Sequence, residues 1–343
     1  MSRRAAALSF ALAATLSIAA PLHGRAQELT PVKFTLDFRF EGPSAGFLLA
    51  KDKGYFEENG VDVTIDTGNG SLEAIPRITT GTYNMGFGDI NALIKFLDEN
   101  PDEPIEAVMM VYNKPAFAVV GRADKGITDD PKSLEGKTLG APPPDSAYAQ
   151  WPVFAKLNDI DTSTVKIENV GFPLREPMLA QGDVDAVFGF SFTSAVNLKA
   201  QGIPEDNIVT MLMADHGLDL YGNAIMVNTE WAEANPDAVK SVLAAIVHGF
   251  KDALANPEEG VEAVMKANNI LTKETEIGRL EMANELHIAT DWVKENGFGG
   301  IDEERMAKSI DLLKTSMGLK NPPSVDRVFD DSYLPPKEER MLQ

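Results

Sequence analysis

The chain has 343 residues, no cysteine, and 31 basic against 52 acidic side chains, a net charge of −21. Such an anionic balance repels phosphate backbones and speaks against nucleic acid as a partner. Without a thiol, disulfides, thiolate metal sites, cysteine nucleophiles and lipid-modified cysteine anchors are all excluded.

Arg3 and Arg4 precede a mostly apolar stretch from Ala5 to Ala20, followed by Pro21 and by small residues at Gly24 and Ala26. This is the order of a cleavable export signal, and the stretch is short of the roughly 20 residues that span a bilayer. The expectation is a signal over residues 1 to 26 and a periplasmic product with no stable membrane insertion after cleavage. Losing Arg3, Arg4 and Arg25 leaves 28 basic against 52 acidic side chains, a net charge of −24. The remaining chain of about 317 residues exceeds what one core usually encloses, so two lobes are expected.

Strand and helix alternate from there. Val32 to Leu36 reads as a strand, Ser44 to Lys53 as a helix closed by Gly54, and Val61 to Ile65 as the next strand. Gly70 and Ser71 open a helix that Gly81 ends, Tyr83 to Phe87 is a short strand, and Asp89 stands at the N-cap of a helix over Ile90 to Glu99. An apolar segment from Ala107 to Val120 is interrupted by Asn113-Lys114-Pro115, and beyond it the alternation restarts. Strands are expected at Thr138 to Gly140, Val165 to Val170 and Val184 to Phe188, each followed by a helix, the first beginning near Asp145 and the others ending at Gly182 and Gly202. Ala224 to Val227 is a return strand; from Pro236 the chain is mostly helical, with an irregular Pro-rich tail after Asn321. These elements predict lobe 1 from residues 27–118 and 222–343 and lobe 2 from 119–221, each a mainly parallel sheet flanked by helices, joined by two hinge strands.

The string AKDKGYFEENGVDVTIDTGNGS, followed by TTGTYNMGFGDINALI, resembles the substrate-binding proteins of ATP-driven importers in the nitrate, sulfonate and thiamine-pyrimidine (NMT1/THI5-like) branch. LAQGDVDAVFGF resembles their second-lobe motif. The resemblance covers roughly residues 32 to 230. It implies a type II periplasmic binding fold whose lobes close on a small molecule and dock, as a monomer, on membrane-embedded ABC permease subunits. It implies no cofactor.

Helix starts at Ser44, Ser71, Asp89 and Ser146 would all offer backbone N–H groups to one crevice. In the loop Leu36 to Ala50, Asp37, Arg39 and Glu41 would share one side of an extended segment at the end of the first strand; Phe38 and Glu41 are the ligand candidates there. Gly70 and Ser71 serve as helix start or as ligand contact, and Gly88 and Asp89 have the same dual reading. Tyr112 stands at the first crossing as cleft wall or hinge packing. APPPDSAYAQWP brings Ser146, Tyr148 and Trp151 to the second lobe, with Pro152 marking either a kink or a later helix start. Arg175 is open to an anionic ligand group or to a salt bridge with Glu176 or Asp183. Phe188, Phe190 and Phe192, with Ser191 between, end another strand. Together with Phe38, Tyr148 and Trp151 these rings suggest a flat ligand held by stacking.

Three function classes follow: an importer's binding protein, an enzyme, and a sensory binding protein. An enzyme resembling the yeast-type pyrimidine synthase would depend on a cysteine-rich motif, which this chain lacks. Beyond the signal only His216, His248 and His287 occur, none paired at metal-ligand spacing, and no reaction motif is present. For the ligand, acidic groups among rings favour a heterocycle with N–H donors, such as a thiamine-precursor pyrimidine; the alternative is a small organic anion.

Overall fold

The computed structural model describes residues 28–342. The expected export signal lies outside the described residues. Among the described residues ten strands form two five-stranded sheets. The first contains β1 (Thr30–Thr35), β2 (Val61–Asp66), β3 (Met85–Asp89), β4 (Ile105–Met110) and β10 (Asn223–Asn228), in the order β2-β1-β3-β10-β4. The second contains β5 (Phe117–Arg122), β6 (Thr138–Ala141), β7 (Lys166–Asn169), β8 (Ala186–Phe190) and β9 (Ile208–Leu212), in the order β7-β6-β8-β5-β9.

One strand in each sheet runs against the other four: β10 is antiparallel to β3 and β4, and β5 to β8 and β9. The cause is topological. A chain that leaves one sheet at the carboxyl end of a strand enters the other at its carboxyl edge, and can only run away from that edge. The β5 and β10 strands are the two that follow a crossing, at 111–116 and 213–222 respectively. All other neighbours in the sheets are reached through a helical crossover and pair in parallel, β1 with β2 and β3, β6 with β7 and β8.

Burial follows position in the sheet. On β2, at an edge, Val61 and Val63 are buried while Asp62 and Thr64 face solvent. Flanked on both sides, β10 is buried over its whole length. The neighbouring strands β4 and β5 are the two halves of the apolar segment read from the sequence. Neither crossing is itself a regular strand. Pro115 has no N–H to offer, and the segments meet through isolated bonds such as Gly222 N to Tyr112 O (2.9 Å) and Tyr112 N to Asn223 O (2.9 Å). Helices Pro236–Ala255, Pro257–Ala267 and Lys273–Ala283 pack beside the first sheet around Ala45–Asp52. The tail after Asn321 is mostly irregular and rejoins the first sheet through the Ala107–Phe329 bridge. Among the described residues no helix is long and apolar enough to cross a membrane.

Candidate functional site

The carboxyl ends of the two sheets face each other across a cleft whose enclosed cavity measures about 70 Å³. Its first wall is the loop after β1. Leu36 is the last residue tied to the strand's neighbour, through Asp66 O (2.7 Å). The loop is then pinned by Gly68 N to Phe38 O (3.1 Å) and Gly70 N to Asp37 O (2.6 Å). The backbone bends instead of staying extended, yet Asp37, Arg39 and Glu41 all line the cleft: Asp37 and Glu41 are buried, while Arg39 is exposed over the Phe38 ring with its Nε 4.0 Å from Glu41 Oε1.

Behind Asp37 lies a buried polar network. Ser71 Oγ (2.8 Å) and Asn223 Nδ2 (2.6 Å) both donate to its Oδ2. Ser71 Oγ in turn accepts from Asp89 N (3.0 Å). Burial raises the Asp37 carboxyl to about 6, although these donors pull the other way. Glu41 is also pushed up by burial; it is held only loosely, with Thr193 Oγ1 at 3.4 Å and Arg279 Nη1 at 3.6 Å. Tyr112 completes the floor, packed edge-on against Phe87, Phe190 and Phe192. Burial, and after it the Asp37 and Glu41 carboxylates, raises its hydroxyl well above the usual tyrosine range.

The facing wall comes from the second sheet. Asp145 caps the short Ser146–Ala149 turn by accepting from Tyr148 N (3.0 Å), and its other oxygen accepts from Arg175 Nη1 (3.0 Å). Arg175 also donates through Nε to Glu176 Oε1 (2.8 Å), which Ser194 Oγ reaches as well (2.9 Å). All three charged groups are buried, so Arg175 faces the cleft already paired with two carboxylates. Phe172 stacks edge-on to Phe38 at 5.1 Å between centroids, bringing the two walls into contact.

Phe38, Glu41, Ser44, Gly70, Ser71, Tyr112, Ser146, Arg175 and Phe190 all line this cleft. Ser44 contributes no free helix end, because its N–H and hydroxyl both bond Glu41 O. Six expected residues stand elsewhere. Trp151 and Tyr148 turn onto Phe188 in the hydrophobic core of the second sheet, at 5.4 and 5.3 Å. Phe188 shares a strand face with Phe190 but sits one pleat deeper, fully buried. Pro152 falls in the first turn of a helix starting at Trp151, the later start that the sequence left open. Gly88 packs behind Ser71. Asp89 is the N-cap of Ile90–Glu99, accepting from Asn91 and Ala92 backbone N–H groups. Ser191 is tied to Ala116 O and to the imidazole of His287. Sequence reasoning did not select Asp37, Arg39, Phe172 and Thr193, which also line the cleft; for Asp37 the signal was its place directly at the end of the first strand.

The arrangement presents acceptors and aromatic faces, with Arg175 neutralised and Arg39 exposed at the edge, 4.0 Å from Glu41. Among the described residues no group of three His, Cys, Asp or Glu side chains is placed to hold a metal ion.

A family model described as NMT1/THI5 like matches residues 42–260. Riboflavin-binding protein RibY of Chloroflexus aurantiacus is 23% identical over 328 residues, covering 92% of this chain and 90% of the relative. A 4-amino-5-hydroxymethyl-2-methylpyrimidine phosphate synthase of Aspergillus parasiticus is 24% identical over 270 residues, covering 74% and 78%. Among solved structures, the alkanesulfonate-binding protein SsuA from Xanthomonas axonopodis pv. citri superposes with a TM-score of 0.67 at 12% identity, over 90% of this chain and 98% of that one. That likeness shows a shared fold, the one used by periplasmic binding proteins.

Proposed function

The chain belongs to the NMT1/THI5-like family, and from that premise we propose that it is an extracytoplasmic solute-binding protein rather than an enzyme. It captures a small molecule between two closing lobes, 27–118 with 222–343 and 119–221, and delivers it to the transmembrane subunits of an ABC permease. The crossings at 111–116 and 213–222 serve as the hinge, and the export signal read in residues 1 to 26 carries the chain to the periplasm.

The ligand is a flat heterocycle bearing N–H donors, of the thiamine-precursor pyrimidine or riboflavin type. The observation that carries this reading is Asp37: Ser71 and Asn223 both donate to Oδ2, which orients the carboxylate and leaves Oδ1 for a ligand donor. Glu41, with no partner closer than 3.4 Å, is a second acceptor across the same cavity. Phe38, Phe172 and Phe190 supply apolar faces for the ring. The alternative ligand, a small sulfonate or carboxylate, would find Arg175 already engaged by Asp145 and Glu176, and would have, among the described residues lining the cleft, only the exposed Arg39, 4.0 Å from Glu41, as a cation. Relatives named as pyrimidine phosphate synthases keep an enzyme reading in view, but a synthase of that type would depend on a cysteine-rich motif, and this chain has no cysteine.

A thermal-shift screen of aminopyrimidines, riboflavin, sulfonates and aromatic acids tests this function. A ligand at a hundred times its dissociation constant stabilises the protein by about 2.7 kcal/mol. Stabilisation by a neutral N–H-bearing ring is the expected result, and stabilisation by anions alone would contradict it.

A further inference from the structure

Helix Lys273–Ala283 touches both halves of the molecule: it packs on the Gly42–Ser44 turn of the first wall and on helix Ser191–Ala200 of the second. At its centre is Arg279, buried with every arm of its guanidinium engaged. Two arms stay on its own helix, Nε to Glu276 Oε2 (3.0 Å) and Nη2 to Glu276 Oε1 (3.3 Å). Nη1 crosses to the second wall, to Phe192 O (3.0 Å) and Thr193 O (3.3 Å), and Nη2 also reaches it, at Asn197 Oδ1 (3.0 Å). Glu276 in turn accepts from Gly42 N (2.6 Å), directly after Glu41. Glu41 Oε2 lies 3.6 Å from Arg279 and 3.4 Å from the Thr193 hydroxyl. A continuous polar path thus runs from the cleft carboxylate Glu41, through Gly42 and Glu276, to Arg279 and the facing helix.

We propose that Arg279 is the positioning residue that holds the second wall against the Glu41 wall, so that the shut arrangement around the ligand depends on it. The physical basis is the cost of separation. Moving the walls apart strips a buried guanidinium of three acceptors at once while leaving Glu276 to neutralise it, so the open arrangement is reachable but disfavoured. Because Glu41 stands beside both Arg279 and Thr193, a ligand donor bound to Glu41 acts on the same contact, and occupancy is coupled to closure. This inference rests on the two-lobe reading above.

The absence of native cysteine allows a clean test. Thr80→Cys and Leu174→Cys, both at exposed positions on opposite walls, take spin labels for pulsed double electron–electron resonance in the full mature chain. The labelled parent should populate the separation of this structure, and adding Arg279→Gln should reduce that population relative to longer distances by roughly tenfold or more. Arg279→Lys should recover part of it, and Asn197→Ala, which removes one acceptor without touching the buried charge, should reduce it to a lesser degree. Should Arg279→Gln fail to fold, Asn197→Ala decides. A parent that shows two separations, left unchanged by all three variants, overturns the role of Arg279 alone. One narrow, identical separation in every protein overturns the two-lobe reading along with it.

Discussion

Asp37 is a carboxylate whose position is fixed from behind and whose charge is penalised by burial. Its ordinary value of 3.8 is raised to about 6 in the folded chain. Between these values the unfolded chain loses its proton first, so raising the pH across that window favours unfolding. Asp37→Asn removes this effect: the variant should gain on the wild type as pH rises from about 4 to about 6, by on the order of 2 kcal/mol. Urea unfolding at several pH values reads the difference, and a gap that is flat with pH would contradict the assignment. A second residue-level expectation concerns the sign of the cleft's charge. Asp145, Glu176 and Arg175 together carry one net negative charge when ionised. Glu176→Gln keeps an acceptor for Arg175 and Ser194 while removing that charge, so by calorimetry the variant should give binding heat with ethanesulfonate where the wild type gives none. No heat from the variant either would show that Arg175 is not what excludes anions. At this scale the sequence revealed which residue types gather at the cleft but not their depth. Alternation along β8 puts Phe188 and Phe190 on one face; only the packing of Tyr148 and Trp151 over Phe188 decides that Phe190 alone reaches the cleft. Arg279 lies in a helix whose pattern betrays only amphipathicity.

The start of helix Ser71–Thr79 brings the two walls close together. Gly70 adopts φ 106°, a conformation that L side chains rarely take, and a methyl group there would lie 2.5 Å from Pro144 O on the opposite wall. Gly70→Ala should therefore destabilise the protein by about 1–3 kcal/mol, read as a lower melting temperature together with a longer Thr80→Cys to Leu174→Cys distance. Loss of stability with no change in that distance would mean that the cost is local strain only. Most elements were legible in the sequence because alternation and Gly stops mark them, as at Val61–Asp66 and at Gly182. Boundaries moved by two residues where a strand is short: Met85–Asp89 and Ala186–Phe190 both run on to the residue that begins the next helix. The strand Ile208–Leu212 was not read at all, since its half-buried sequence has no partner pattern of its own and is held by pairing with β5. The segment Asn284–Ile288 falls in the stretch after Pro236 that reads as mostly helical. It winds as a π-helical turn that brings the buried His287 to Ser191 Oγ (2.9 Å) and Lys114 O (3.2 Å).

The whole molecule is governed by where the chain crosses. Both crossings leave one sheet at its carboxyl edge and enter the other at the same edge, and this both reverses β5 and β10 and gathers the loops of two sheets around one cleft. A long-range feature of this kind has no local signature, which is why the antiparallel pairings could not be read from the sequence although the return strand at Ala224 to Val227 could. The binding role follows from that geometry: one cavity, walls from distant parts of the chain, acceptors on the first wall and a self-neutralised arginine on the second. Calorimetric titration of riboflavin, a free aminopyrimidine and ethanesulfonate into the wild-type mature chain and into Asp37→Asn tests this most directly. One of the two ring compounds should bind once per chain and lose tenfold or more of its affinity in Asp37→Asn, with no heat from ethanesulfonate. Binding of ethanesulfonate alone, or ring binding that Asp37→Asn leaves untouched, would contradict the account.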